Sequence, residues 1–401
     1  MVNGTEPGEN PIAARTLLLF GAVFSSLTFV TITPALPSIA KYFAAGGDDT
    51  LRAQLVLTMA VIGMAVGGIA AGAITSRLGL KRTAVLALTG CGTFGLSILV
   101  LPNIYLIYID RFFLGWSAVT VDICVIAMLG ARYEGATRAK LIGFRQAIAS
   151  SSTVIGTLIG GALVQQYGWR VPSTVFAAAF VYALLMVLVL RDRKKPDAGS
   201  APTAKFAIVS SVWILYFLII AQSIANTMPH FQLPFLLAED GMDNAATMSR
   251  FPAASALVSI MGALAFGWIY SKMRGHTATV ALTLMGVSFI VISLTSNFAI
   301  VLVAIMVEGF GGGMMLPYLA SRILEKVPQE ARAHAYGSLM SILFVGQFFN
   351  PLVIAPLRLG LGIHGSFGVV GVVLLIIAAA MPYLIGLSER PAKAKPNDIP
   401  K

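Results

Sequence analysis

Apolar runs of about twenty residues recur along this chain with only brief polar breaks between them. That recurrence constrains the fold more than any other feature, because a bilayer core of about 30 Å takes about 20 apolar residues per helical crossing. Composition agrees: 57% of the residues are hydrophobic and only 11% are charged, where a soluble domain would spread more charge over its surface. The chain is therefore expected to be an all-α membrane protein. Its first apolar run has neither a basic leader nor a persuasive cleavage site, and reads as a retained span rather than a removed signal peptide.

The runs fall near 16–36, 53–75, 83–101, 104–130, 139–165 and 172–190, and again near 206–229, 252–270, 277–296, 299–321, 334–357 and 364–387. Corresponding starts differ by 190, 199, 194, 195, 195 and 192 residues, too regular a spacing for unrelated segments. Twelve transmembrane helices in two pseudo-symmetric six-helix bundles follow. The expected division is an N-terminal bundle over 1–190, a linker over 191–205 rich in Pro, Gly, Ala and charge, and a C-terminal bundle with a short tail over 206–401.

Charge sets the expected orientation. With the N-terminus inside, the loops on that side hold 21 of the 28 Lys and Arg residues and the other side holds 5, while Arg111 and Arg145 lie within spans. This asymmetry places both termini in the cytoplasm. It also accounts for the net charge of +11 through the anionic inner leaflet, with no need for nucleic acid. Nothing asks for a cofactor or a metal. Cys91 and Cys124 sit inside apolar runs, the four histidines are scattered, and nucleophile-elbow, phosphate-loop and zincin motifs are missing, so no enzyme is expected.

One polar break carries a motif. The stretch GAITSRLGLKR, residues 72–82, forms the basic turn between the second and third spans, and GWIYSKMRG, residues 267–275, is its counterpart in the second half. Gly72 meets Gly267, Ser76 meets Ser271 and Arg77 meets Lys272. The turn resembles the signature of the major facilitator superfamily, Gly-x-Leu-x-Asp-Arg-x-Gly-x-Arg/Lys, at Gly72, Arg77, Gly79 and Lys81. It departs at Ser76, where that family usually carries Asp; the resemblance implies a conformational latch, weakened here by loss of the charge. DRFFLGWSA resembles the family's fourth-helix motif through Arg111 and Gly115. SSTVIGTLIGGAL supplies part of the fifth-helix antiporter motif through Gly156, Gly160 and Gly161, with Thr157 in place of Pro. YGWRVPSTVF and GQFFNP are similar to the bacterial drug-efflux branch.

Ionisable groups within spans cost about 2.5–3.5 kcal/mol to insert, so each needs a partner or a task. Arg111, a candidate for proton coupling or else a structural helix tie, shares a helix face with Asp122 but stands about 16 Å from it along the axis, too far to pair. Arg145 on the fifth span can reach the depth of Asp122, and the two are expected to pair, either as a static tie or as a proton-coupling site. Glu308 before GFGGGMMLP is a second coupling or substrate candidate, or a carboxyl kept neutral as a hydrogen-bond donor. Asp110 reads as a solvated cap and His230 as an interfacial residue at the outer mouth. Gln222 and Asn226 on the seventh span, Gln146 on the fifth, and Gln347 and Asn350 on the eleventh either line a water-filled cavity or glue helices together.

The resulting expectation is a monomeric secondary transporter of the bacterial inner membrane, in contact with lipid, protons and a small-molecule substrate. Proton-coupled efflux of an amphipathic or lipophilic compound leads. A proton-coupled importer of a metabolite or organic anion is the alternative, and a transport-inactive receptor or scaffold is the reading from another class.

Overall fold

The structure, a computed structural model, describes residues 10–44, 49–133, 135–191, 213–242, 244–273, 276–326 and 332–389. Three short helices make the first crossing: α1 (Pro11–Phe20), α2 (Val23–Val30) and α3 (Leu36–Tyr42). Asn10 starts the first of these by accepting hydrogen bonds from the backbone of Ile12 and Ala13. A 3-10 turn over Thr33–Ala35 interrupts the crossing at Pro34, which has no N–H to give. The first half continues with α4 (Asp49–Leu78), α5 (Leu80–Ser97), α6 (Ile104–Arg132), α7 (Gly135–Tyr167) and α8 (Ala178–Val189). The second half holds α9 (Trp213–Glu239), α10 (Ala245–Met248), α11 (Arg250–Met273), α12 (Thr277–Leu294), α13 (Phe298–Lys326) and α14 (Arg332–Glu389).

Among the described residues, nine stretches are long and apolar enough to cross a bilayer. The last of them, Ser341–Tyr383, is two helices in series, because Gly362 within α14 takes φ 72° and ψ 175°, a conformation only glycine adopts freely. With α5 and α9, every expected span falls on a helix. The linker beyond residue 191 lies outside the described residues.

The seventh span departs from expectation. Its sequence suggested a stop near 229, yet α9 runs through Pro229 and Pro234 to Glu239. Proline removes a helix hydrogen bond but does not end a helix that neighbours hold on all sides. Here Phe231, Leu233 and Leu236 are buried, and the Phe231 carbonyl accepts a hydrogen bond from Gln54 of the other half.

Glycines set how closely the helices cross. A Cβ on Gly63 would collide with the Phe112 carbonyl, and one on Gly115 with the Ala60 carbonyl, so α4 and α6 meet backbone to backbone. The second half repeats the device between α11 and α13, where Gly262 abuts the Phe310 carbonyl and Gly309 the Ser255 carbonyl. Gly262 lies 199 residues after Gly63, the offset that separates the starts of those two spans. The duplication is thus visible in packing as well as in spacing.

The two halves join on one face. The larger apolar core mixes second-half residues with Ile32, Leu36, Ile39, Val56, Leu57 and Trp169, all near the ends opposite the basic turns. The second core belongs to the first half and, among the described residues, draws only Phe344 from the other. Gly161 of α7 packs against Ser249 and Ala245, and Gln165 accepts the Ala245 N–H, closing that same face.

Gly115→Ala and Gly309→Ala should each lower thermal stability of the purified protein by about 1–3 kcal/mol through overpacking. Gly72→Ala should leave it unchanged, since nothing lies within 4 Å of the added carbon. Equal melting temperatures for all three would refute the close-crossing account.

Candidate functional site within the helix bundle

Asp122 and Glu308 lie inside the bundle, one in each half and at different depths. In the first half, Asp122 sits ten residues from the basic end of α6, and Arg145 ten residues from the basic end of α7. At 1.5 Å per residue both lie about 15 Å in, the same depth. Arg145 Nη2 donates to Asp122 Oδ1 in an ion pair, and Ser25 Oγ of α2 stands 3.4 Å from the same oxygen. The arginine side chain is 5% exposed and the aspartate 26%, so the carboxylate is the more accessible partner. The pair expected from depth is present, and Ser25 completes it from a helix that the sequence had not drawn attention to.

In the second half, Glu308 of α13 is buried and accepts a hydrogen bond of 3.2 Å from Ser255 Oγ of α11. Among the described residues no ion pair reaches it. A Cβ on Gly312, one turn further on, would strike Asn226 Oδ1 and lie 3.6 Å from Glu308 Oε1, so the glycine leaves room beside both groups. Asn226 is half-buried, and Gln222 one turn away is 3% exposed with its Oε1 unpartnered. The polar stripe of α9 thus turns toward α13 and the carboxyl.

Asp110 and Arg111 correct an expectation. Asp110 is buried rather than a solvated cap, and Arg111 Nε and Nη2 both donate to its Oδ2, at 3.0 and 2.9 Å. Adjacent helical residues point about 100° apart, but a guanidinium on a long stem folds back across that angle. Ser97 Oγ donates to the other carboxylate oxygen, and Arg111 Nη2 to the Phe94 carbonyl, so the unit staples α5 to α6. His230 is likewise not at an outer mouth. It lies nine residues inside the end of α9, half-buried, with Nδ1 enclosed and unpartnered.

The remaining candidates divide by contact. Asn350 is fully buried and donates through Nδ2 to the Ile224 carbonyl at 2.6 Å, tying α14 to α9 and closed off from solvent in this conformation. Gln347 is half-buried on the same helix. Gln146 follows Arg145 on α7 and lies outside the described side chains.

In the basic turn, Gly79 takes φ 84° and separates α4 from α5 in a single residue. Ser76 Oγ donates to the Ala73 carbonyl of its own helix, as Ser271 does to Trp268, so neither serine latches onto a neighbour. Arg77 is exposed and Gly72 faces open space. Lys81 does reach across, donating to the Val187 carbonyl near the end of α8.

Comparison with known proteins places this arrangement. Multidrug resistance protein Stp of Mycobacterium tuberculosis is 30% identical over 165 residues, covering 41% of this chain but 30% of Stp. Multidrug efflux pump Tap of Mycolicibacterium fortuitum is 22% identical over 264 residues, covering 63% of this chain and 64% of Tap. Each match therefore spans less than two thirds of the relative. Among solved structures, a D-xylose-proton symporter superposes with a TM-score of 0.76 at 14% identity, over 92% of this chain and 97% of that one. A bacterial homologue of the human lysosomal transporter Spinster superposes with a TM-score of 0.73 at 18% identity, over 96% and 100%. The Major Facilitator Superfamily model matches residues 18–351 and 272–401, so the chain belongs to that superfamily of membrane transporters.

Proposed function

We propose that this transporter exports a small amphipathic or lipophilic compound in exchange for protons, by rocking its halves (1–190 and 206–401, joined by 191–205) about a central site. Both termini then face the cytoplasm of a bacterial cell, and the monomer is the working unit. The observation that carries the reading is the Asp122–Arg145 pair: a partly accessible carboxylate held by a buried guanidinium within the span. Protonating Asp122 neutralises it and releases Arg145, which changes the contacts among α2, α6 and α7 in step with proton binding. Glu308, buried without a cation, supplies a second protonatable position nearer the opposite face. The multidrug resistance and efflux relatives support export. One proton crossing 100 mV yields about 2.3 kcal/mol, equivalent to roughly a 50-fold substrate gradient.

Import of an organic anion needs a guanidinium free to bind it. Arg111 is engaged by Asp110 and Arg145 by Asp122, which weighs against that alternative.

Proteoliposomes challenged with lipophilic cations, neutral drugs and organic anions should release protons against substrate movement, and Asp122→Asn should abolish the exchange. Proton and substrate moving together would instead establish import, and unchanged exchange in the variant would remove Asp122 from coupling.

Stability separates the pair from its members. Arg145→Gln leaves Asp122 alone and should lower thermal stability by about 1–3 kcal/mol, with Asp122→Asn added on top restoring most of it. A double variant no more stable than Arg145→Gln would show that the two groups are not energetically paired.

A further inference from the structure

On the face where the halves join, a fully buried pair of side-chain amides crosses between them inside the apolar core. Gln54 of α4 and Gln232 of α9 are each 0% exposed. Gln54 Nε2 donates to Gln232 Oε1 at 2.9 Å and to the Phe231 carbonyl at 2.9 Å, and Gln232 Nε2 stands 3.5 Å from Gln54 Oε1. Thr58 Oγ1 bonds the Gln54 carbonyl one turn below and fixes the base of the side chain. Both glutamines are fully buried, as are Val56, Leu57 and Leu233 close to them in sequence, so no water reaches the pair in this conformation. Gln54 lies five residues from the start of α4, about 8 Å inside the helix end, whereas Glu308 lies ten residues, about 15 Å, from the start of α13.

We propose that Gln54 and Gln232 are the gating residues of the transport cycle on this face, and that their paired amides make its opening all-or-none. The physical reason is an asymmetry. A dry, partial separation leaves two carboxamides and the Phe231 carbonyl buried and unpaired, the costly situation for polar groups. Full separation admits water, which replaces every bond. The pair therefore adds little to the closed state relative to the fully open one, but it raises everything in between, as a gate that must not leak requires. Phe231 lies between Pro229 and Pro234, so the carbonyl that Gln54 holds belongs to the stretch of α9 whose backbone ladder proline has already thinned.

The test needs neither substrate nor ion gradient, so its result stands apart from proton coupling. A reporter, Val56→Cys, is placed in protein whose Cys91 and Cys124 are replaced by alanine, and its reaction with a maleimide is timed in detergent. Slow labelling is expected with the glutamines intact. Gln54→Leu strands the Gln232 amide and the Phe231 carbonyl, and labelling should accelerate about tenfold or more. Adding Gln232→Leu removes the stranded amide and should bring the rate at least about threefold back down. An unchanged rate in Gln54→Leu, or equal rates in the single and double variants, overturns the proposal. A second measurement covers misfolding of the leucine variants. Gln54→Cys with Gln232→Cys should form a disulfide across the halves on mild oxidation, and failure to do so overturns the proposal as well.

Discussion

Lipid offers no hydrogen bonds, and the structure follows from that one constraint. Every backbone group within the bilayer has to be satisfied by its own helix, so apolar runs become helices and polar side chains turn inward. Once helices are obligatory, their mutual approach is set by side-chain size. The crossings of α4 with α6 and of α11 with α13 are as close as they are because glycine stands where any Cβ would strike a facing carbonyl. The charged and amide groups then occupy the interior that these crossings enclose.

Much of this was legible in the sequence because the relevant quantities are lengths. Span positions depend on counting apolar residues, and the meeting of Asp122 with Arg145 depends on equal distances from two helix ends. Where legibility failed, side-chain reach or tertiary support was decisive. Asp110 was misjudged because the angle between neighbouring residues says nothing about how far a guanidinium can bend back. The seventh span was cut short, and His230 placed at a mouth, because proline stops an isolated helix more readily than one enclosed by neighbours. Ser25, Ser255 and the Gln54–Gln232 contact left no readable signal. Each depends on which distant helices become adjacent, and one chain without relatives to compare does not encode that in any local pattern.

The duplication is kept in the scaffold and lost in the chemistry. Gly63 and Gly262, Gly115 and Gly309, Ser76 and Ser271 occupy equivalent places and do equivalent things. Asp122, Arg145 and Glu308 have no counterparts at the matching offsets, where Pro317, Met340 and Phe113 or Leu114 stand. Packing is symmetric between the two bundles, while the titratable groups set into them are not.

Gly362 joins the last two spans through a single left-handed residue, leaving no loop between them. Just beyond it, His364 Nε2 lies 3.0 Å from Asp240 Oδ1 at the end of α9, and Ser296 Oγ between α12 and α13 donates to the same oxygen at 2.7 Å. The eleventh span therefore has no loop to spare at this end, and the Asp240 knot holds the joint to the end of the seventh span. Mechanically the joint between the last two spans is short and anchored, tied to the end of α9 by side-chain contacts instead of a length of connecting loop.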